Sequence, residues 1–200
     1  MTTVNESKIL TDTVEVENKS ILELLEGAVT HAHKDRDLYA LNSVQLEGEG
    51  AGYLVARATD RYRLIEGKIE TEHGQLSKSL LSLADVKRVI ELCKSNKHSK
   101  VTLNRIGDLL TVSVTGSSIT VQLLEANYPA TFDDLLSVSG REPLGEIAFA
   151  PALFADYAKI AGKGNAVRVE FTGKGKPMII HLPVTKVEWR ALLMPMRYQD

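Results

Sequence analysis

Three helical patterns recur at nearly constant spacing, and this recurrence constrains the fold more than any single motif. Their starts fall at residues 18, 83 and 151. A self-similar period of this kind marks an architecture built from repeated units. The first helix follows the alternating strand Thr13-Val14-Glu15-Val16-Glu17 and opens at Asn18, a residue type that suits an N-cap. Its apolar stripe is Ile21, Leu25, Ala28, Val29 and Ala32. The second opens after Ser82, which with Asp85 forms a capping-box pattern, and buries Leu83, Val86, Ile90 and Cys93. The third follows 146–150, begins at Pro151, buries Leu153, Tyr157, Ile160 and Ala161, and stops at Gly162.

Three extended runs follow each helix: 39–47, 52–59 and 62–71; 100–105, 108–115 and 118–124; 166–171, 178–182 and 187–194. Short glycine-containing turns join them, at Gly48-Glu49-Gly50, Gly107-Asp108, Gly116-Ser117 and Gly173-Lys174-Gly175, so the sheets should be antiparallel with helices on one face. The fold class is α+β, with a strand, helix, three-strand unit used three times. Residues 135–145, with Ser137, Ser139, Gly140 and Pro143, read as a linker between the second and third units.

Composition narrows the function. The chain has 200 residues, 44% hydrophobic and 25% charged, which is ordinary for a globular protein that buries a core without staples. Cys93 is the only cysteine, which excludes an intramolecular disulfide and a thiolate zinc cluster. No basic region followed by an apolar stretch opens the sequence, and no run of 18 apolar residues occurs, so a cytoplasmic location is expected. Net charge is −2, but residues 84–105 hold six bases against two acids and 159–200 hold eight against three, leaving the rest strongly acidic.

Catalytic chemistry finds little support. His31 and His33 stand two apart at a helix end, which sends them to different faces, and they read as surface residues rather than a metal pair. Asp133-Asp134 reads as a solvated loop without a fixed base. Gly173-Lys174-Gly175-Lys176-Pro177 lacks the strand-to-helix context of a phosphate loop. Neither an enzyme nor a cofactor is expected.

Three segments have unusual composition for surface turns: Ala58-Thr59-Asp60-Arg61-Tyr62-Arg63-Leu64, Ala126-Asn127-Tyr128-Pro129-Ala130-Thr131-Phe132, and Leu192-Leu193-Met194-Pro195-Met196-Arg197-Tyr198. Each alone reads as a strand end with core methionines and solvated arginines. In this order they resemble the bacterial β sliding clamp family of the replicative DNA polymerase. Residues 58–64 are similar to that family's Ala-Thr-Asp-Gly-(Tyr/His)-Arg-Leu, Tyr128-Pro129 to its aromatic-proline turn, and 194–197 to its terminal Met-Pro-Met-Arg. Asn42 after Leu41 also resembles a family position. The departures are Arg61 where the family has glycine, a turn after Pro129 that is one residue longer, and a total length short of the family's three domains.

The resemblance implies a DNA-clamp fold with antiparallel sheets outside and helices on the inner face. It implies a complete domain over residues 1–135, a linker over 136–144 and a half domain over 145–200. It further implies a site for partner peptides of polymerases and clamp loaders, lined by Leu41, Thr59, Arg61, Tyr62, Arg63, Leu64, Pro129, Leu135, Leu192, Met194, Pro195, Met196 and Arg197. DNA-facing cations by the same resemblance are Lys34, Arg36, Lys87, Arg88, Lys94, Lys97, Lys100, Lys159 and Lys163, with Tyr39 beside them. A solvated helix face is the alternative for the cations, and a core-edge cap the alternative for Tyr39. The expected function is a processivity factor that encircles duplex DNA, against the alternative of an adaptor or decoy that binds the same peptides without encircling DNA. Twelve units complete a family ring, so a tetramer is expected in preference to a dimer, with pairs of third units completing a domain between chains.

Overall fold

The computed structural model describes residues 12–50, 52–96, 100–129 and 147–197. Strand alternation and helix periodicity build the same core side in every unit. In β1 (Asp12–Glu17), Val14 and Val16 turn inward and are buried. The chain then enters α1 (Asn18–Val29), β2 (Ser43–Glu49), β3 (Tyr53–Thr59), β4 (Arg63–Glu70) and the short β5 (His73–Gly74). The second unit is β6 (Ser79–Ser82), α2 (Leu83–Ser95), β7 (Lys100–Ile106), β8 (Leu109–Val114) and β9 (Ser117–Gln122). In the third, residues 147–150 lead into α3 (Pro151–Ala161), β10 (Arg168–Phe171), β11 (Met178–His181) and β12 (Glu188–Leu193). The 136–144 linker lies outside the described residues.

The units match position by position despite weak identity. Three, six and ten residues after each helix start stand Ile21, Val86 and Phe154, then Leu24, Val89 and Tyr157, then Ala28, Cys93 and Ala161, all packed into the core. Three residues before each start, the carbonyls of Glu15, Leu80 and Ala148 accept N–H bonds from Glu72 (2.9 Å), Leu124 (2.8 Å) and Met196 (2.8 Å), each beyond the last main strand of its own unit.

The first two units exchange strands. β1 pairs antiparallel with β7 and β6 with β2, giving one five-stranded sheet, β5-β1-β7-β8-β9, and one seven-stranded sheet, β10-β11-β12-β4-β3-β2-β6. The third unit joins the second sheet through β12, which runs antiparallel along β4 for six residue pairs. Trp189 secures this junction. Its ring lies over Gly67, its register partner, and Gly27 of α1; a Cβ at either glycine would stand 2.4 or 2.3 Å from the ring. Only glycine leaves the indole that room.

Two local expectations are corrected. Asn18 does not cap its own helix; its side chain donates to the carbonyls of Cys93 (3.2 Å) and Asn96 (2.9 Å), tying α1 to the end of α2. His31 is fully buried rather than at the surface, because the chain after α1 turns back beneath Tyr157, with ring centroids 5.0 Å apart. Ser82 does cap α2, accepting from the Asp85 N–H at 3.1 Å and donating to the Asp85 carboxylate at 2.7 Å. No helix among the described residues is long and apolar enough to cross a membrane.

Candidate functional site

The turn between β3 and β4 is held by its own side chains. The Asp60 carboxylate accepts the N–H groups of Tyr62 and Arg63, each at 3.1 Å, while the Thr59 hydroxyl donates to the Arg63 carbonyl at 2.8 Å and accepts the Arg61 N–H at 3.3 Å. Arg61 takes φ = 78°, the only non-glycine residue with positive φ among the described residues. The turn thus keeps a backbone suited to glycine and places an arginine in it, at a cost of about 1 kcal/mol.

Register assembles a surface on the sheet face away from the helices. Thr59 pairs with Leu64, Leu64 with Leu192, and Leu192 with Ile179, so the four form a row across β3, β4, β12 and β11. Leu64, Leu192 and Ile179 form an apolar cluster separate from the main core. At its end the Met194 N–H donates to the Tyr62 carbonyl at 2.8 Å. Tyr62, Met194 and Met196 are 61%, 37% and 57% exposed, which rules out the core-methionine alternative. Tyr128 closes one flank, its hydroxyl donating to the Arg57 carbonyl at 3.4 Å, with Pro129 exposed beyond it. The neighbouring row is charged: Glu66, buried, accepts Arg57 at 2.7 Å and is also bonded by Arg190. The site therefore sets an apolar strip against an ion-paired one.

The other expected residues differ in where they lie. Pro195 is half-buried between the two methionines and Arg197 is exposed. Leu41 sits in the loop between α1 and β2, its carbonyl accepting the His33 N–H, and Leu135 lies outside the described residues. Arg63 is a clear correction. Strand alternation turns Leu64 outward and Arg63 inward, where the guanidinium is spent on the protein itself: Nε donates to Asp60 (2.9 Å), Nη1 to Asp156 (2.7 Å) and the Leu153 carbonyl (3.0 Å), and Nη2 to the Thr30 carbonyl (2.8 Å). Desolvation opposes charge on Asp156, but hydrogen bonds from Lys159 and Arg63 outweigh it and hold the carboxyl below its usual value. Sequence reasoning missed Ile179 and Trp189. The run Met178-Ile179-Ile180, apolar on both alternating faces, is the signal that β11 is covered on both sides.

The helical face is charge-balanced rather than positive. The three helices carry five bases and five acids. A groove of about 600 Å³ between them is lined by Glu23, Glu26 and Glu91 together with Lys87, Lys94 and Lys159. Lys94 is paired with Glu26 (3.1 Å), Arg88 with Asp85 (2.8 Å) and Lys159 with Asp156 (2.6 Å). Lys100 is corrected: it starts β7 and binds Glu15 and Glu72, since Glu15 alternates away from the helices. Lys34, Arg36, Lys87 and Lys163 carry no ion pair among the described residues; all are exposed, and Tyr39 is 57% exposed beside the first two. Lys97 lies outside the described residues.

Repeated strand-helix-strand units, with helices on one side of continuous antiparallel sheets, define a sliding-clamp fold. The structure is similar to a DNA polymerase III β subunit from Thermotoga maritima (TM-score 0.78, 18% identity, 99% of this chain and 68% of that one). It is also similar to the DNA polymerase sliding clamp of Caulobacter crescentus (0.79, 15%, 99% and 68%) and the β subunit from Borrelia burgdorferi in complex with a natural product (0.76, 15%, 94% and 63%). A search of curated proteins finds no match. The family model for the DNA polymerase III beta subunit, central domain, matches residues 15–130, and the chain belongs to that family.

Proposed function

We propose that the protein is a sliding-clamp-like processivity factor of the cytoplasm, which encircles duplex DNA as a homo-oligomer and tethers polymerase or clamp-loader partners through a short peptide. The observation that carries this reading is the exposed trio Tyr62, Met194 and Met196 at the end of the row formed by buried Leu64 and Leu192 and half-buried Ile179. Flexible methionines accept an apolar anchor of variable shape, and the turn backbone and Arg61 are placed to meet its polar end. A fluorescent peptide offering glutamine followed by leucine and phenylalanine binds the protein, and the double variant M194A/M196A weakens that binding at least tenfold. Because both side chains are exposed, thermal unfolding stays within a few degrees of the parent. Equal loss of binding and stability, or binding unchanged by the variant, refutes the assignment.

The balanced helical face favours a second reading, the adaptor that engages peptides without encircling DNA. DNA association by the ring rests on phosphate contacts from Lys87 and the loop cations Lys34 and Arg36, so it weakens steeply between 50 and 200 mM salt, by about tenfold or more. No retention on circular duplex DNA at 50 mM salt decides for the adaptor.

A further inference from the structure

The third unit is half-built by the standard of the other two. Four and two residues before each helix start, and three after, stand Val14, Val16 and Ile21 in the first unit and Ser79, Leu81 and Val86 in the second, all buried at 1% exposure or less. Ile147, Phe149 and Phe154 hold the same positions in the third and are only half-buried; Val169 is half-buried too, and Phe171 is 42% exposed. The difference is a missing neighbour. In the first two units, each leading strand pairs with the other unit's first strand after the helix. In the third, among the described residues, β10 is a sheet edge and 147–150 is bridged on one side alone, through Ala148 to Met196.

Both existing pairings obey one rule. The residue just before the helix stands opposite the first residue of the other unit's strand: Glu17 with Lys100, Ser82 with Ser43. Applied to the third unit, the rule sets Ala150 opposite Arg168, Phe149 opposite Val169, Ala148 opposite Glu170 and Ile147 opposite Phe171. Apolar residues then face apolar residues on the core side. A single unit does not make this pairing with itself, since the corresponding strands of the first unit, β1 and β2, lie in different sheets.

We infer that the third unit docks on the third unit of a second copy of this chain about a two-fold axis, with residues 147–150 of each copy pairing antiparallel with β10 of the other in this register. The two edges satisfy each other's unpaired backbone groups, and the two half-buried cores close into one. This rests on the homo-oligomer reading above and assigns it a surface.

The test uses the full chain. Because the Ala148 carbonyl points to Met196, Ala148 and the second copy's Glu170 form a non-hydrogen-bonded pair with Cα atoms about 4.5 Å apart, within disulfide range. Mild oxidation of A148C/E170C converts most chains to a covalent dimer on a non-reducing gel, while the shifted pair A148C/R168C gives less than a tenth of that yield; Cys93 is buried, and single variants serve as controls. In the unmodified protein, amide exchange at Phe149 and Val169 is slowed at least tenfold relative to exposed loops, which keeps the test independent of how the variants fold. An oligomeric mass by light scattering without the cross-link or the protection places the contact elsewhere and overturns this inference while leaving the homo-oligomer reading intact. A single-chain mass at every concentration overturns both.

Discussion

Replacing Arg63 with methionine destabilises the protein by about 3–5 kcal/mol, because it removes one partner of a buried ion cluster and strands the rest. Arg63 is 5% exposed and binds the β3–β4 turn, the end of α1 and α3 at once. Its loss leaves the Asp60 and Asp156 carboxylates without their shared cation, and removes the side-chain donor from the Leu153 and Thr30 carbonyls. Lysine does not rescue the site, since a single ammonium cannot span the donor directions that the planar guanidinium supplies. Urea unfolding of R63M, R63K and the parent at pH 7.5 reads the effect directly. A loss below about 1 kcal/mol for R63M means that the cluster is solvated and the turn and α3 are held by packing alone. Peptide binding supplies the second readout: Arg63 lies on the helix side of the sheet, so the folded fraction of R63M retains affinity. Affinity lost from fully folded R63M restores Arg63 to the peptide site.

The contrast between Arg63 and its neighbours shows where sequence legibility ended. Helix starts at Leu83 and Pro151 were readable because the Ser82 cap, a proline and a 3.6-residue period act within a few residues, and the start at Asn18 was readable from the period. The segment 58–64 was readable as unusual, and the resemblance sets it beside 192–197; the strand register pairs Arg63 with Leu193 and Leu64 with Leu192. What the residues could not express was direction. Arg61 and Arg63 are the same side chain two positions apart, and only the pairing of Leu64 with Leu192 determines that Arg63 points inward. Asn18 was legible as a capping residue but not as a bridge to another helix, because Cys93 and Asn96 reach it only after the units exchange strands.

Charge was misread for the same reason. Basic and acidic stretches are segregated along the chain but interleaved in space, since antiparallel pairing and unit docking bring distant segments together. Lys186 reaches Glu17, Arg190 reaches Glu66, and Lys94 reaches Glu26. A positive helical surface inferred from a run of bases therefore becomes a balanced one once α1 contributes its glutamates. The exposed pairs among these, Lys186–Glu17 and Lys94–Glu26, add little stability, about 0–1 kcal/mol each, but such pairs determine how much positive potential remains for phosphate.

His31 makes the junction sensitive to acid, and the size of that sensitivity is predictable. Thr30 donates its hydroxyl proton to the Gly27 carbonyl at 2.7 Å and so accepts from His31 Nδ1–H at 2.7 Å, which leaves Nε2 unprotonated in the interior. Burial, reinforced by the positive charge of Arg63 and only partly offset by Asp156, pushes the imidazole down to about 3. Between pH 6.5 and 3 the unfolded chain therefore carries a proton that the folded chain refuses. Stability falls as pH drops through this window, by up to about 1.4 kcal/mol per unit from this residue. Between pH 6.5 and 4.5 the parent loses about 2–3 kcal/mol more than H31F, which keeps a ring against Tyr157 and cannot titrate. Urea unfolding at half-unit pH steps separates this from carboxylate effects. Asp156, held below its usual value, contributes stability that disappears only at lower pH, below its unfolded value near 3.8. Parallel curves for parent and H31F would mean that His31 is reached by water and titrates normally, and the acid response of the junction would then pass to Asp156.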